Sequence, residues 1–200
     1  MAQAVTVKVY GRFDRLSIYT PFTSKDFPDA KPKFKGNLII DPNTPRGAQS
    51  LEKLEAGLKQ IGLEAWKKWP QSFTSDTKRF CLVDGNTNTR EVKNSKTGEL
   101  EDVVREGYAG MKYLKASSTN APTIKDADAV TDLKATDGRP YNGSYGWFVV
   151  NLKDTEKGGK GLFAYLEIVQ FIKHGDPLGG GRVSAGDYLS NEAEDDEEEV

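Results

Sequence analysis

Aromatic rings alternate with cations at several places along this chain, and that pairing of residue types has a specific chemistry. Lys8, Tyr10, Arg12, Phe13 and Arg15 lie close together, followed by Lys31, Lys33, Phe34 and Lys35, then Lys112, Tyr113 and Lys115, and finally Trp147 with Phe148. Nucleobases stack on flat rings for ~1–3 kcal/mol each, and Lys or Arg neutralises phosphates, so such a surface suits an unpaired nucleic-acid strand. Any one aromatic at strand spacing can instead belong to a core. Tyr10, Tyr113 and Lys35 are preferred over Phe148 and Phe171, because they share a strand face with polar or basic residues. The candidate binding set is Lys8, Tyr10, Arg12, Arg15, Lys33, Lys35, Lys112, Tyr113 and Lys115, joined by Lys157 and Lys160 from a basic, glycine-rich loop.

Catalytic and metal motifs fail on inspection. The single cysteine, Cys81, forms no intramolecular disulfide, and with His174 as the only histidine no Cys/His zinc site assembles. Gly158 to Gly161 resembles a phosphate loop, but Asp154 stands where the motif needs glycine and Gly161 where it needs a hydroxyl. Ser75 and Lys78 have the spacing of an activated serine, yet sit in a polar stretch rather than on a helix. Asp126 to Val130 opens like a calcium loop but lacks its third ligand and its glycine. The expectation is a non-enzymatic chain without cofactor or metal.

Charge divides the chain in two. Glu192, Glu194, Asp195, Asp196, Glu197, Glu198 and Glu199 form an acidic run with no cation among them. Setting these seven apart from the 30 acids leaves 23 against 28 cations, so the body carries about +5 although the whole chain is −2. Like-charge blocks stay solvated and act as interaction tails, and a basic body suggests an anionic ligand. Hydrophobic residues make up 36% of the 200, which suits one soluble domain with a sizeable core. No apolar run is long enough to span a membrane, and the N-terminus lacks the layout of a secretory signal, so the expected location is the host cytoplasm.

The elements that would position the binding set are mostly strands. Val5, Val7 and Val9 alternate with Thr6, Lys8 and Tyr10, predicting a half-buried strand over Ala4 to Arg12. A second stretch, Ile18 to Phe22, is broken by Pro21, and Lys33 to Ile40 reads as another strand. Leu51, Leu54, Leu58, Ile61, Ala65 and Trp69 recur every three or four residues, predicting one amphipathic helix from Pro45 to Trp69. Thr44 caps it, Pro70 ends it, and Gly57 and Gly62 weaken it. Phe80 to Val83, Tyr108 to Ser118 and Pro122 to Asp126 are further strand candidates. Asp84 to Gly107 is polar and turn-rich, an insertion or hairpin. Gly146 to Lys153 and Leu162 to Phe171 are apolar runs predicting a long β-hairpin. The fold class expected is mainly β, with one domain over 1–190, an insertion around 84–107 and a disordered acidic tail over 191–200.

The order of these motifs resembles the phage single-stranded-DNA-binding proteins, more narrowly those of the Enterobacter-phage type. The resemblance is carried by Lys33-Phe-Lys-Gly-Asn-Leu-Ile-Ile-Asp-Pro42, the helix leading to Trp66-Lys-Lys-Trp69, Tyr108 to Ser117, and Lys160-Gly-Leu with Leu166 to Gln170 and Leu178-Gly-Gly180. It implies an oligonucleotide-binding (OB) fold, a Greek-key β-barrel whose face and loops hold the strand. It also implies that the acidic tail competes for the groove and recruits replication or recombination proteins. The chain ends in Val200 where many such tails end in an aromatic anchor. Single-stranded DNA is the expected partner. Duplex DNA is a further candidate, since phosphate contacts tolerate either form, and self-association into a homodimer is another. From a different class, an acidic-tailed protein-interaction module or DNA mimic without nucleic-acid binding is the alternative, with an RNA-binding OB domain and an enzyme behind it.

Overall fold

The computed structural model describes residues 4–25, 29–67, 78–94 and 98–179. β1 (Val5–Phe22) is one strand of 18 residues, where the sequence predicts two stretches. An irregularity in its pairing between Asp14 and Ser17 bends the strand without ending it. Its alternation turns Val7, Val9, Phe13 and Ile18 inward, with Lys8, Tyr10 and Arg12 at positions of the opposite parity. β2 (Lys33–Ile40) follows, then α1 (Pro45–Trp66), β3 (Leu82–Asp84), β4 (Thr89–Lys93), β5 (Leu100–Val104), β6 (Lys112–Ser118), β7 (Thr123–Lys125), β8 (Tyr145–Thr155) and β9 (Gly161–Lys173).

Antiparallel pairing runs from β6 to β2, β2 to β1, β1 to β8 and β8 to β9. β9 then meets β6 in parallel at Ala116 and Ala164, which closes a five-stranded ring in the order β1-β2-β6-β9-β8. This is the OB-fold barrel. Beside that closing pair, the segment leading into β3 lies between the two strands. The Cys81 amide donates to the Leu162 carbonyl (3.0 Å), the Leu162 amide to Arg79 (2.9 Å), and the Lys115 amide to Cys81 (2.8 Å). β7 extends the sheet alongside β9.

The core joins the inward residues of the barrel to the apolar face of α1, with Leu54, Leu58 and Ile61 fully enclosed. Thr44 Oγ1 accepts the Gly47 amide (3.2 Å) at the helix start, with Pro45 next to the cap. The helix ends at Trp66, three residues before the expected end; Lys67 turns into the left-handed region and donates its amide to Leu63 (2.9 Å). Trp69 and Pro70 lie outside the described residues. α1 runs unbroken through Gly57 and Gly62. At Gly57 a methyl group would stand 3.0 Å from Leu152 Cδ1, so the missing side chain lets the helix approach β8 closely.

The stretch read as an insertion holds a separate two-stranded sheet, β4 with β5, in register from Thr89 opposite Val104 to Lys93 opposite Leu100. The chain then turns through Tyr108 to Met111, so β6 begins at Lys112 rather than at Tyr108. This turn builds a second, smaller core of Ile39, Val83, Tyr108, Tyr113 and Leu178. Among the described residues no helix is long and apolar enough to cross a membrane.

Candidate nucleic-acid interface

Strand parity brings one set of cations together. Lys33, Lys35 and Asn37 share a side of β2, and Lys115 and Ser117 share the matching side of β6, with Lys35 opposite Ser117 and Asn37 opposite Lys115. Arg15 joins them from the β1 irregularity. Its φ of 51° is in the left-handed region, which costs a non-glycine residue on the order of 1 kcal/mol. Arg15 lies 3.8 Å from the buried Asp14 carboxylate, which accepts a 2.6 Å hydrogen bond from the Tyr108 hydroxyl. That hydroxyl in turn accepts from Asn37 Nδ2 (2.9 Å), so the bulge is tied to β2. Burial, together with its hydrogen bond to Asp14, pushes the Tyr108 hydroxyl above the usual tyrosine range and keeps it a donor.

Over these paired strands, and against β9, lies a cleft of about 320 Å³ bordered by Arg15, Lys35, Lys78 and Lys115, with Phe163 of β9 on its wall. Burial first, and the Arg15 guanidinium second, hold the Lys35 ammonium below the usual lysine range. Crowded cations of this kind are relieved by an incoming anion. The Lys35 ammonium also sits 3.2 Å from the centre of the exposed Phe22 ring. Next to Lys78 in sequence but outside the cleft lining, Arg79 gathers the tip between β8 and β9: its guanidinium donates to the carbonyls of Lys157 (2.9 Å), Gly159 and Lys160 (3.3 Å). Lys157 and Lys160 are exposed on that tip, and the Lys160 ammonium lies 5.7 Å from the Trp66 ring.

Five expected positions fall elsewhere. Tyr113 does share its side of β6 with Lys115, but the turn at Tyr108 to Met111 covers it to 7% exposure, and its ring meets Tyr108 edge-on at 5.0 Å. A base cannot reach it in this arrangement. Lys112 has the parity of the core residues Leu114 and Ala116 and pairs with Asp84 at 3.1 Å, away from the cleft. Lys8, Tyr10 and Arg12 gather on the outer side of β1 with β8, as a second cluster apart from the cleft residues. The tail residues Glu192, Glu194, Asp195, Asp196, Glu197, Glu198 and Glu199, and Ser75, lie outside the described residues. Lys78, Arg79 and Phe163 were missed by sequence reasoning. Phe163 lies in an apolar run that reads as core, and no local periodicity singles out the two cations.

Cys81 lies at the floor of the cleft yet is only 2% exposed, and burial pushes its thiol pKa up to about 12. The thiolate is the reactive form, so a chromogenic disulfide reagent at pH 8 is expected to give no colour with the native protein over minutes. One equivalent should appear on unfolding in guanidinium. Rapid native labelling would show that the floor opens. Among the described residues no three His, Cys, Asp or Glu side chains are placed to hold a metal ion.

The family described as "Enterobacter phage Enc34, ssDNA-binding protein" matches residues 4–200. The chain belongs to this family. Protein p50 of Acyrthosiphon pisum secondary endosymbiont phage 1 is 32% identical over 174 residues, covering 84% of each chain. Among solved structures, the single-stranded DNA-binding protein from bacteriophage Enc34 in complex with ssDNA superposes with a TM-score of 0.66 at 16% identity, over 87% of this chain and 89% of that one. Gp2.5, a single-stranded DNA binding protein encoded by bacteriophage T7, gives 0.53 at 12% identity, over 95% and 97% of the two chains. At such identities the structural likenesses establish a shared fold.

Proposed function

We propose that this chain is a non-enzymatic, sequence-independent single-stranded-DNA-binding protein of a phage replication or recombination system, acting in the host cytoplasm. The reading rests on one observation above all: Arg15, Lys35, Lys78 and Lys115 converge from separate segments on one cleft with an aromatic wall. The phosphates of a strand in that cleft meet the cations, and Phe163 and Phe22 offer ring faces to its bases. The cations and the ring on its wall favour contacts to the backbone and to generic ring faces over readout of one base. Such a protein coats exposed strands, blocks re-pairing and nuclease attack, and passes DNA to other enzymes. The acidic tail, at the opposite charge, competes with DNA for the cleft and offers partners a handle. Duplex DNA binds more weakly, through its phosphates alone.

A gel shift with labelled oligo-dT across a salt series tests this, comparing the full chain with one truncated after Ser190. The expected result is binding that falls steeply with salt and strengthens on truncation, because the seven tail carboxylates are removed. No binding by either form at low salt would transfer the case to a protein-interaction module or DNA mimic. Oligo-rU in parallel separates an RNA role, which tighter binding to rU than to dT would indicate.

A further inference from the structure

The outer side of β1 and β8 carries a second basic and aromatic surface. Cross-strand register places Tyr10 opposite Trp147 and Arg12 opposite Tyr145. Tyr10 meets Trp147 edge-on at 5.1 Å and stacks with Tyr145 at 6.5 Å, giving a platform of three rings. Each ring holds a cation: Lys8 lies 4.6 Å from Trp147, Arg46 5.4 Å from Tyr10, and Arg12 5.7 Å and Lys173 4.8 Å from Tyr145. Beside the platform, a cleft of about 610 Å³ runs to the start of α1. The first turn of that helix contains no acidic residue, so the positive end of its dipole adds to the four cations. The carboxylate on this cleft, Asp41, is engaged by the Asn43 amide at 2.8 Å.

The platform and the β2–β6 cleft are separate. Gly107 and Met111 border the platform cleft, while Leu178 packs against Gly107 and Tyr108 belongs to the smaller core, so this turn stands between the two surfaces. Arg12 and Arg15 are nevertheless three residues apart on one strand, roughly 10 Å at strand rise, within reach of one or two extended nucleotides. We propose that the platform is a second segment of the nucleic-acid path, which receives single-stranded DNA leaving the β2–β6 cleft and gives the protein a two-part footprint. Four cations held on flat apolar rings match the alternation of phosphate and base in a single strand. An acidic peptide would use the cations and leave the rings without a counterpart. This proposal rests on the reading of the chain as a single-strand binder.

The test measures fluorescence anisotropy of labelled dT8 and dT30 on the full chain at several salt concentrations. It compares the wild type with Lys8→Glu/Arg46→Glu and with a charge-matched control, Lys53→Glu/Lys134→Glu, two exposed lysines that line neither cleft. The platform variant is expected to keep its dT8 affinity within about twofold and to lose at least about tenfold on dT30. Its salt slope on dT30 should drop by about 1.4, from two single-strand phosphate contacts at ~0.7 each. The control should follow the wild type. Unchanged dT30 affinity in the platform variant would overturn the proposal, as would an equal loss on both oligonucleotides. If polyglutamate binding depends on Lys8 and Arg46 while dT30 binding does not, the platform is a peptide site and the proposal is wrong. Failure of the wild type to bind either oligonucleotide is a different result, which removes the single-strand reading itself.

Discussion

Reversing Lys35 and Lys115 together, as Lys35→Glu/Lys115→Glu, is expected to lower oligo-dT affinity by at least about 100-fold at low salt. The two side chains stand on neighbouring strands of one cleft, with Lys35 opposite Ser117 and Asn37 opposite Lys115. A hydrogen bond to a charged group is worth about 1.5–3 kcal/mol, so losing two phosphate contacts removes at least ~3 kcal/mol, near two decades in Kd. The salt slope should also flatten by about 1.4. Lys112→Glu is the counterpart on the same strand. Lys112 pairs with Asp84 on the other side of β6, and its reversal is expected to change dT affinity by less than about threefold. Anisotropy titrations on folded variants decide the matter. Equal losses from Lys112→Glu and the double variant would mean that overall charge, not the cleft, governs binding.

Gly146→Ala is expected to be among the most destabilising single-methyl changes available in the barrel. Gly146 of β8 faces Gly11 of β1. A methyl group on Gly146 would enter the Gln170 carbonyl oxygen and stand 2.5 Å from Phe13 Cζ, a ring that itself stacks on Phe148 at 5.3 Å. One on Gly11 would strike the Ile39 carbonyl and come within 2.8 Å of Leu38 Cγ. Backbone oxygen cannot give way as a side chain can, so the strands must part. A loss of about 3 kcal/mol, and a Tm lower by roughly 6–12 °C, is expected for a chain of this size. Gly110→Ala is the contrast, since nothing lies within 4 Å of the added methyl and only its φ of 72° opposes the change. That variant should lose about 1 kcal/mol. Urea melts of both, with the m-value unchanged, would check the pair; similar losses would contradict the crowding at Gly146.

Much of this was legible in the chain because the signals are local. The β8–β9 hairpin follows from two apolar runs around a glycine-rich tip, and the α1 face follows from the three- and four-residue spacing of Leu51, Leu54, Leu58 and Ile61. The placement of Lys112 was also within reach, since it has the parity of Leu114 and Ala116 and those are core residues. Other features depend on contacts between distant residues. Tyr113 alternates as an exposed residue should, and is buried by a turn whose return over β6 no periodicity reveals. Arg15 reaches the cleft through a backbone irregularity, and Phe163 reaches it through the β6–β9 closure. The pairing of Tyr10 with Trp147 depends on the β1–β8 register, so two clusters far apart in sequence form one platform.

The β6–β9 join has a further consequence. Ala116 opposite Ala164 is the one direct pair between those strands, beside which the hydrogen bonds pass through the Arg79–Cys81 segment. The proposed DNA cleft lies over this seam, bordered by Lys115 and Ala116 on one side and by Phe163 and Ala164 on the other. A ligand bound there grips both edges, and it meets its full set of partners only while the seam is shut. Occupancy and opening then oppose each other by mass action, so an oligonucleotide seated in the proposed cleft would act as a removable clasp on the barrel at its least stitched line.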